Sequence, residues 1–226
     1  MDLFVNAFFY VLAALLPMVN PLSGSVFFVS LTSDLSESQR AWLSGRVAIY
    51  SFVMIEVSVY VGVFILNFFG ISIDVLRVAG GLVLACAGWS AINSEVDDKK
   101  KAQASKEKSF DGSTDDFKRR AFFPLTMPLM VGPGAMSVCT ALGTTMPMTL
   151  SNILGLHAAI LVNCIAVWVS FRYSDQITKR MGASGADAVV KIFSFLLICI
   201  GIQILWTGFS GLWTELAKTS LAFLAK

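Results

Sequence analysis

Six runs of about twenty mostly apolar residues follow one another along this chain. That repetition constrains the fold more than any other feature, because a helix needs about that many apolar residues to cross the hydrocarbon core of a bilayer. The runs cover residues 3–31, 46–69, 73–93, 121–144, 152–171 and 189–212. Two of the gaps, 67–72 and 145–148, are short enough to be tight turns. Only 14% of the 226 residues are charged and 56% are hydrophobic, with a mean hydropathy of +0.73. A soluble domain is about 25% charged. The pattern predicts an all-α, polytopic membrane protein with six transmembrane helices. The apolar content excludes a disordered chain. A net charge of +2 with no basic face excludes a nucleic-acid footprint. Cys86, Cys139, Cys164 and Cys199 all lie within apolar runs and read as small hydrophobes, not as disulfide partners. The first run has Asp2 as its only early charge and is long for a signal region, so it reads as a retained helix.

One stretch breaks the pattern. Residues 94–120 hold 15 of the 32 charged side chains, eight basic and seven acidic. Such a segment cannot bury enough apolar surface to fold alone and reads as a water-exposed connector. The chain then divides into 1–93, the connector 94–120, 121–213, and a tail at 214–226. Fourteen Lys and Arg fall on the side of the first, third and fifth gaps, against Arg77, Lys218 and Lys226 on the other. Basic loops stay in the cytoplasm. Both termini are therefore expected in the periplasm of a bacterial inner membrane, with the connector cytoplasmic.

The chain resembles itself after about 112 residues. Val19-Asn20-Pro21 aligns with Val131-Gly132-Pro133, and Gly70 with Gly182. After a one-residue insertion Asp74 aligns with Asp187, Gly81 with Ser194, Cys86 with Cys199 and Gly88 with Gly201. Three helices per copy is an odd number, so the second copy enters the membrane from the opposite side. The result is a pair of inverted-topology repeats, an arrangement associated with alternating access. Gly81 and Gly88, and Ser194, Gly201 and Gly208, are spaced seven apart and share a helix face. Small faces let helices three and six approach closely where lipid supplies no hydrophobic drive.

Five of the six prolines lie in the first helix of each copy: Pro17, Pro21, Pro124, Pro128 and Pro133. Proline removes a backbone donor and clashes with the carbonyl four residues back. Helices 1 and 4 are expected to break near the midplane. Unpaired backbone groups there cost several kcal/mol in lipid, so such a break persists only beside protein or a water-filled cavity. A half-helix opening at Pro21 or Pro133 presents free N–H groups and the positive end of its dipole, which suits a carboxylate. The candidate binding residues are Asn20, Pro21, Leu22, Ser23 and Gly24 in the first copy. Their counterparts are Gly132, Pro133, Gly134 and Ala135 in the second.

Asn20-Pro21-Leu22-Ser23-Gly24, Leu76-Arg77-Val78-Ala79-Gly80-Gly81, Phe122-Phe123-Pro124-Leu125-Thr126-Met127-Pro128 and Gly132-Pro133-Gly134-Ala135 also carry a family resemblance. Through them the chain resembles the MarC family of bacterial inner-membrane proteins over residues 3–212. Its SnatA-type relatives are described as small neutral amino acid transporters. The resemblance implies a carrier of glycine, alanine or a similar solute, with the zwitterion's carboxylate at the half-helix ends.

Several ionisable residues sit inside the runs. Glu56 is the one acid well within a span and is the candidate for a coupling ion, H+ or Na+. Asp74 and Arg77 share a helix face and read as a structural pair or an outer gate; Asp187 and Lys191 read as an interface pair. His157, the only histidine, reads as a packed, hydrogen-bonded residue. Asn163, Gln203, Thr126 and Thr140 are candidate cavity-lining groups. No HExxH, CxxC or phosphate-binding glycine-lysine motif occurs. Neither an enzyme, a metal site nor a bound cofactor is expected, and flux would run without ATP. The expected partners are the lipid bilayer and the solute, with a homo-oligomer left open. The competing reading is a non-transporting membrane protein linked to envelope stress or antibiotic tolerance.

Overall fold

A computed structural model describes residues 2–93 and 114–224, and the secondary structure among these is entirely helical. The first half comprises α1 (Asp2–Val19), α2 (Pro21–Leu31), α3 (Glu37–Tyr60), the short α4 (Gly62–Phe68) and α5 (Ile73–Asn93). The second comprises α6 (Thr114–Arg120), the wide-turned α7 (Ala121–Met130), α8 (Pro133–Thr145), α9 (Leu150–Arg172) and α10 (Ser174–Leu224). Local sequence sets several of these starts. The Ser36 hydroxyl accepts from the Gln39 amide at 3.3 Å, and the Gln39 side chain accepts from the Ser36 amide at 2.9 Å. This reciprocal box satisfies two N–H groups that would otherwise be orphaned at the start of α3. Thr149 caps α9 in the same sense, accepting from Asn152.

Five helical stretches are long and apolar enough to cross a membrane: Leu3–Val29, Glu37–Tyr60, Ile73–Asn93, Leu150–Arg172 and Ser184–Lys218. The first carries the Asn20 interruption between α1 and α2. Residues 121–144, expected as one span, instead divide between α7 and α8, each too short to cross alone. Phe123 and Met127 leave helical dihedrals, Val131 is non-helical (φ −120, ψ 83) and Gly132 is extended. Three prolines within ten residues remove the amide donors that one continuous helix would need.

The element boundaries differ from expectation at three further places. Residues 94–113 of the expected connector lie outside the described residues, whereas 114–120 form α6, with the Phe117 ring edge-on to Trp42 at 6.2 Å. Residues 174–187, expected as a gap, are helical, with one turn at Gly182 (φ 67, ψ 175). α10 runs on to Leu224, so residues 214–224 extend the last helix and do not form a separate tail.

α1 and α3 both pack on α9, α8 packs on α3 and α5, and α2 packs on α9 and α10. Val11, Leu15, Leu43, Ile55, Leu125 and Ile160 are fully buried at the centre. Large apolar side chains cover the outside, Phe64 and Phe68 at 73% and 84% exposure among them. In water such a surface would aggregate; against lipid it is the appropriate solvent contact.

The seam between α5 and α10 is built from missing side chains. A methyl group placed on Gly81 would meet the Gly201 carbonyl oxygen and the Leu205 amide nitrogen. One on Gly88 would lie 2.6 Å from the Ser194 carbonyl oxygen. Gly201 in turn faces Gly81 and Ala85, and Gly208 faces Asp74 and Val78. These are backbone atoms and cannot step aside. Gly88→Val should therefore cost about 1–3 kcal/mol and lower the melting temperature in detergent. Gly45→Ala, inside α3 with open space around the new methyl group, should leave it unchanged or slightly higher, because alanine favours the helix.

Candidate functional site

Asn20 ends α1 and opens α2 in a left-handed conformation (φ 44, ψ 67). Asparagine tolerates that region better than most residues with a side chain. Its amide still donates to the Leu16 carbonyl and its carbonyl still accepts from Gly24, both at 3.0 Å. Its side-chain oxygen accepts from the Ser23 amide at 3.3 Å. The first turn of α2 is thus capped by the residue that interrupts the chain. Asn20, Pro21, Ser23 and Gly24 are buried, while Leu22 points outward at 45% exposure. Gly24 lies against the Met130 methyl group and the Phe171 ring.

The second interruption is built differently. Gly132 precedes α8 in an extended conformation (φ −86, ψ 175), and no side chain caps the turn that follows. Pro133 is exposed, and Gly134 and Ala135 are buried. Gly134 approaches Leu84 and the Gly80 carbonyl of α5. Upstream, the Val131 amide reaches back five residues to the Thr126 carbonyl at 2.9 Å, and the Thr126 hydroxyl reaches back five to Ala121 at 2.7 Å. The two interruptions adjoin through the contact of Gly24 with Met130, and Val19 and Val131 share one buried core.

A cavity of about 280 Å³ near these residues lies between α1, α5, α8 and α10. Tyr10, Thr145, Thr207 and Arg77 supply its polar groups, and Met18, two residues before Asn20, closes its α1 wall. Ala13, Ala14, Val138, Ala141 and Leu142 provide apolar walls. Among these lining residues Arg77 is the one with a full charge. It donates to Asp74 at 2.9 Å through one nitrogen, and a guanidinium has further N–H groups to offer. None of the nine residues predicted from the half-helix motifs lines this cavity; it is reached through Arg77, expected as a pair or gate. Alanine and threonine at the lining positions carry no sequence signal that separates a cavity wall from packing.

Glu56 is 17% exposed and faces His157 of α9 across 3.5 Å. The His157 ring also meets the Tyr60 hydroxyl at 3.2 Å and the Ile153 carbonyl at 2.7 Å. His157 is thus hydrogen-bonded, as expected, and in addition it is the partner of the half-buried Glu56. Its placement over Glu56 depends on the α3–α9 contact and has no trace in local sequence. Ser51 and Asn163 are fully buried and their side-chain polar atoms find no hydrogen-bond partner among the described residues. Such groups are costly in a core and mark places where a polar guest is favoured. Of the other candidates, Thr140 bonds the Ser58 carbonyl at 3.0 Å.

At the opposite end from Arg77, Arg120 grips both oxygens of Asp34 at 2.9 Å and also donates to the Leu31 carbonyl. Arg40 binds both oxygens of Asp175 at 2.6 Å. The side-chain hydrogen bonds from Arg120 hold the Asp34 carboxyl below the usual carboxylate range.

A family model described as MarC family integral membrane protein matches residues 5–213. The chain belongs to the MarC family. Relatives named as inner membrane protein MarC include one from Citrobacter koseri, 30% identical over 213 residues that span 92% of this chain and 96% of that one. The relative from Escherichia coli O1:K1 is 32% identical over 204 residues, 87% and 91% of the two chains. The one from Salmonella typhimurium is 30% identical over 220 residues, 92% and 96%. No solved structure matches the chain. As a MarC-family protein the chain is a multi-pass integral protein of the inner membrane, which accounts for its apolar exterior.

Two outcomes follow for this MarC-family site. Asn20→Gly should cost a few tenths of a kcal/mol, because glycine keeps the left-handed backbone. Asn20→Val should cost about 1–3 kcal/mol through strain, read as melting temperature in detergent. The Asp34–Arg120 contribution should be present at neutral pH and fade as pH falls below about 4, because a carboxyl depressed in the folded state binds its proton more readily once unfolded. Asp34→Asn should flatten that part of the stability–pH curve.

Proposed function

We propose that the chain is a secondary transporter of small neutral amino acids, of glycine or alanine size, working by alternating access between two inverted three-helix repeats. The observation that carries this reading is the cavity of about 280 Å³ whose charged lining group is Arg77 and whose α1 wall ends beside Asn20. Its volume is at the small end for ligand sites, and its walls are mostly apolar. That chemistry suits a solute with one carboxylate and little side chain. The solute enters at Arg77 and its carboxylate moves to the half-helix ends at Asn20-Pro21-Leu22-Ser23-Gly24 and Gly132-Pro133-Gly134-Ala135. The uncapped first turn of α8 is the better anion site of the two.

The inverted-repeat part of the proposal draws support from burial. The offset of 112 residues that carries Asn20 to Gly132 also carries every buried residue of α3, from Leu43 to Val59, onto a buried residue of α9, from Gly155 to Phe171. Gly81 packs on Gly201, the counterpart of Gly88, while Gly88 packs on Ser194, the counterpart of Gly81. A contact in which i meets j′ and j meets i′ is the signature of a two-fold relation. Packing partners exchange in the same way: α2 lies on α9 and α10, and α8 on α3 and α5. In this arrangement helices 1 and 4 are the broken members of six spans. The termini and the Arg77 end face the periplasm, and the connector 94–120 the cytoplasm. Glu56, paired with His157, takes the coupling proton; Asn163 and Ser51 offer oxygens to an ammonium group or Na+. The protein moves its solute unchanged and catalyses no reaction.

Purified protein in proteoliposomes should take up labelled glycine or alanine under an imposed proton or sodium gradient. No flux under either gradient would favour a non-transporting membrane protein. Gly132→Leu suits the extended backbone and crowds the uncapped turn, so it should reduce uptake at least tenfold while insertion and melting temperature are kept; normal uptake would remove that turn from the site. Glu56→Gln should flatten the pH profile of uptake, and an unchanged profile would remove Glu56 from coupling.

A further inference from the structure

We propose that the Asp34–Arg120 ion pair latches shut a second cavity, the repeat-exchanged counterpart of the Arg77 cavity, and that releasing the pair exposes a path lined by Val26, Thr126, Met130 and Val190. The inference rests on the inverted-repeat carrier reading and adds which end is closed, what closes it and which residues emerge.

Exchanging the repeats maps one end of the molecule onto the other. The 112-residue offset takes Ala14 and Met18 to Thr126 and Met130, and takes Val138 back to Val26. After the one-residue insertion, Arg77 maps to Val190. On the Arg77 end these residues line open space of about 280 Å³. On the other end Thr126 is 0% exposed, Met130 and Val190 1%, and Val26 3%. At these positions the two copies thus differ, one lining open space and the other packed. A carrier of inverted repeats reaches its other state when the copies trade conformations.

The closed end also carries a bidentate arginine–carboxylate contact between helices; at the open end the inter-helix contact is the looser one of Glu56 with His157 at 3.5 Å. Asp34 lies just beyond the end of α2, and Arg120 just before the start of α7. Their bidentate contact ties together the far ends of the two helices that contribute Val26, Thr126 and Met130. The Arg120 side chain is only 8% exposed and also holds the Leu31 carbonyl at the end of α2. A bidentate guanidinium–carboxylate contact with one buried partner is strong and geometrically specific. Under repeat exchange Asp34 and Arg120 become Met146 and Phe8, so the open end has no equivalent pair. Arg40 and Asp175 add a second tie at the closed end, between α3 and the start of α10.

The test is site-directed labelling in a background with Cys86, Cys139, Cys164 and Cys199 replaced. Single cysteines are placed at Ala14, Val26, Thr126 and, as a core control, Leu43. A membrane-impermeant maleimide is applied to intact cells and to inside-out vesicles. With the pair intact, the Ala14→Cys site should react from one face while Val26→Cys and Thr126→Cys stay protected. Asp34→Asn should speed labelling at Val26→Cys and Thr126→Cys about tenfold from the opposite face, as losing about 1.4 kcal/mol of bias toward the closed state requires. The charge exchange Asp34→Arg with Arg120→Asp should restore protection. Unchanged protection at Thr126→Cys with the pair broken would overturn the latch, and so would an equal rise at Leu43→Cys, which signals general loosening. No solute is added, so this result is independent of uptake, and absent uptake alone would count against the transport reading only.

Discussion

A backbone amide or carbonyl inside a bilayer has no water to turn to, and each one left unpaired costs several kcal/mol. Every irregular feature of this chain is arranged around that constraint. At Asn20 the helix stops and restarts within one residue, yet the amide, the carbonyl and the side-chain oxygen of Asn20 all find backbone partners. Across Thr126 to Val131 the chain keeps its amide occupied by reaching back five residues where four are usual. The first turn of α8, by contrast with that of α2, begins without a side-chain cap.

Around these interruptions the helices are held by close approach instead of hydrophobic collapse, since lipid is as apolar as the side chains it would replace. α5 and α10 meet through Gly81, Gly88, Gly201 and Gly208, where backbone touches backbone. α8 meets α5 and α3 through Gly80, Gly134, Thr140 and Gly143. The larger side chains are turned outward to lipid or gathered at the centre, where Phe28 stacks on Phe171 at 4.5 Å. Dispersion contacts of this kind are short-ranged, and the fit fails if a single methyl group is added where the opposing atom is backbone.

Charge is concentrated at the ends of the helices and is unequal between them. One end is tied by Arg120 to Asp34 and by Arg40 to Asp175 across different helices; at the other, Arg77 pairs with Asp74 on its own helix and lines a cavity, and His157 of α9 meets Glu56 of α3.

The membrane class, most of the helices and the small-residue faces could be read from the order of residues, because each depends on neighbours within a few turns: apolar length and glycine spacing of seven. α6 and the long start of α10 carry many charged and small residues and so resemble a solvated connector; in α6, packing of Phe117 on Trp42 overrides that composition. The His157–Glu56 contact, the Asp34–Arg120 pair and the alanine-lined cavity above Met18 join residues 86 to well over 100 positions apart, so only the tertiary structure could decide them. Local sequence determines where a helix can form and where it must stop. Which side chains then face one another, and which end of the bundle remains open, depends on how the helices cross, and that is a property of all of them together.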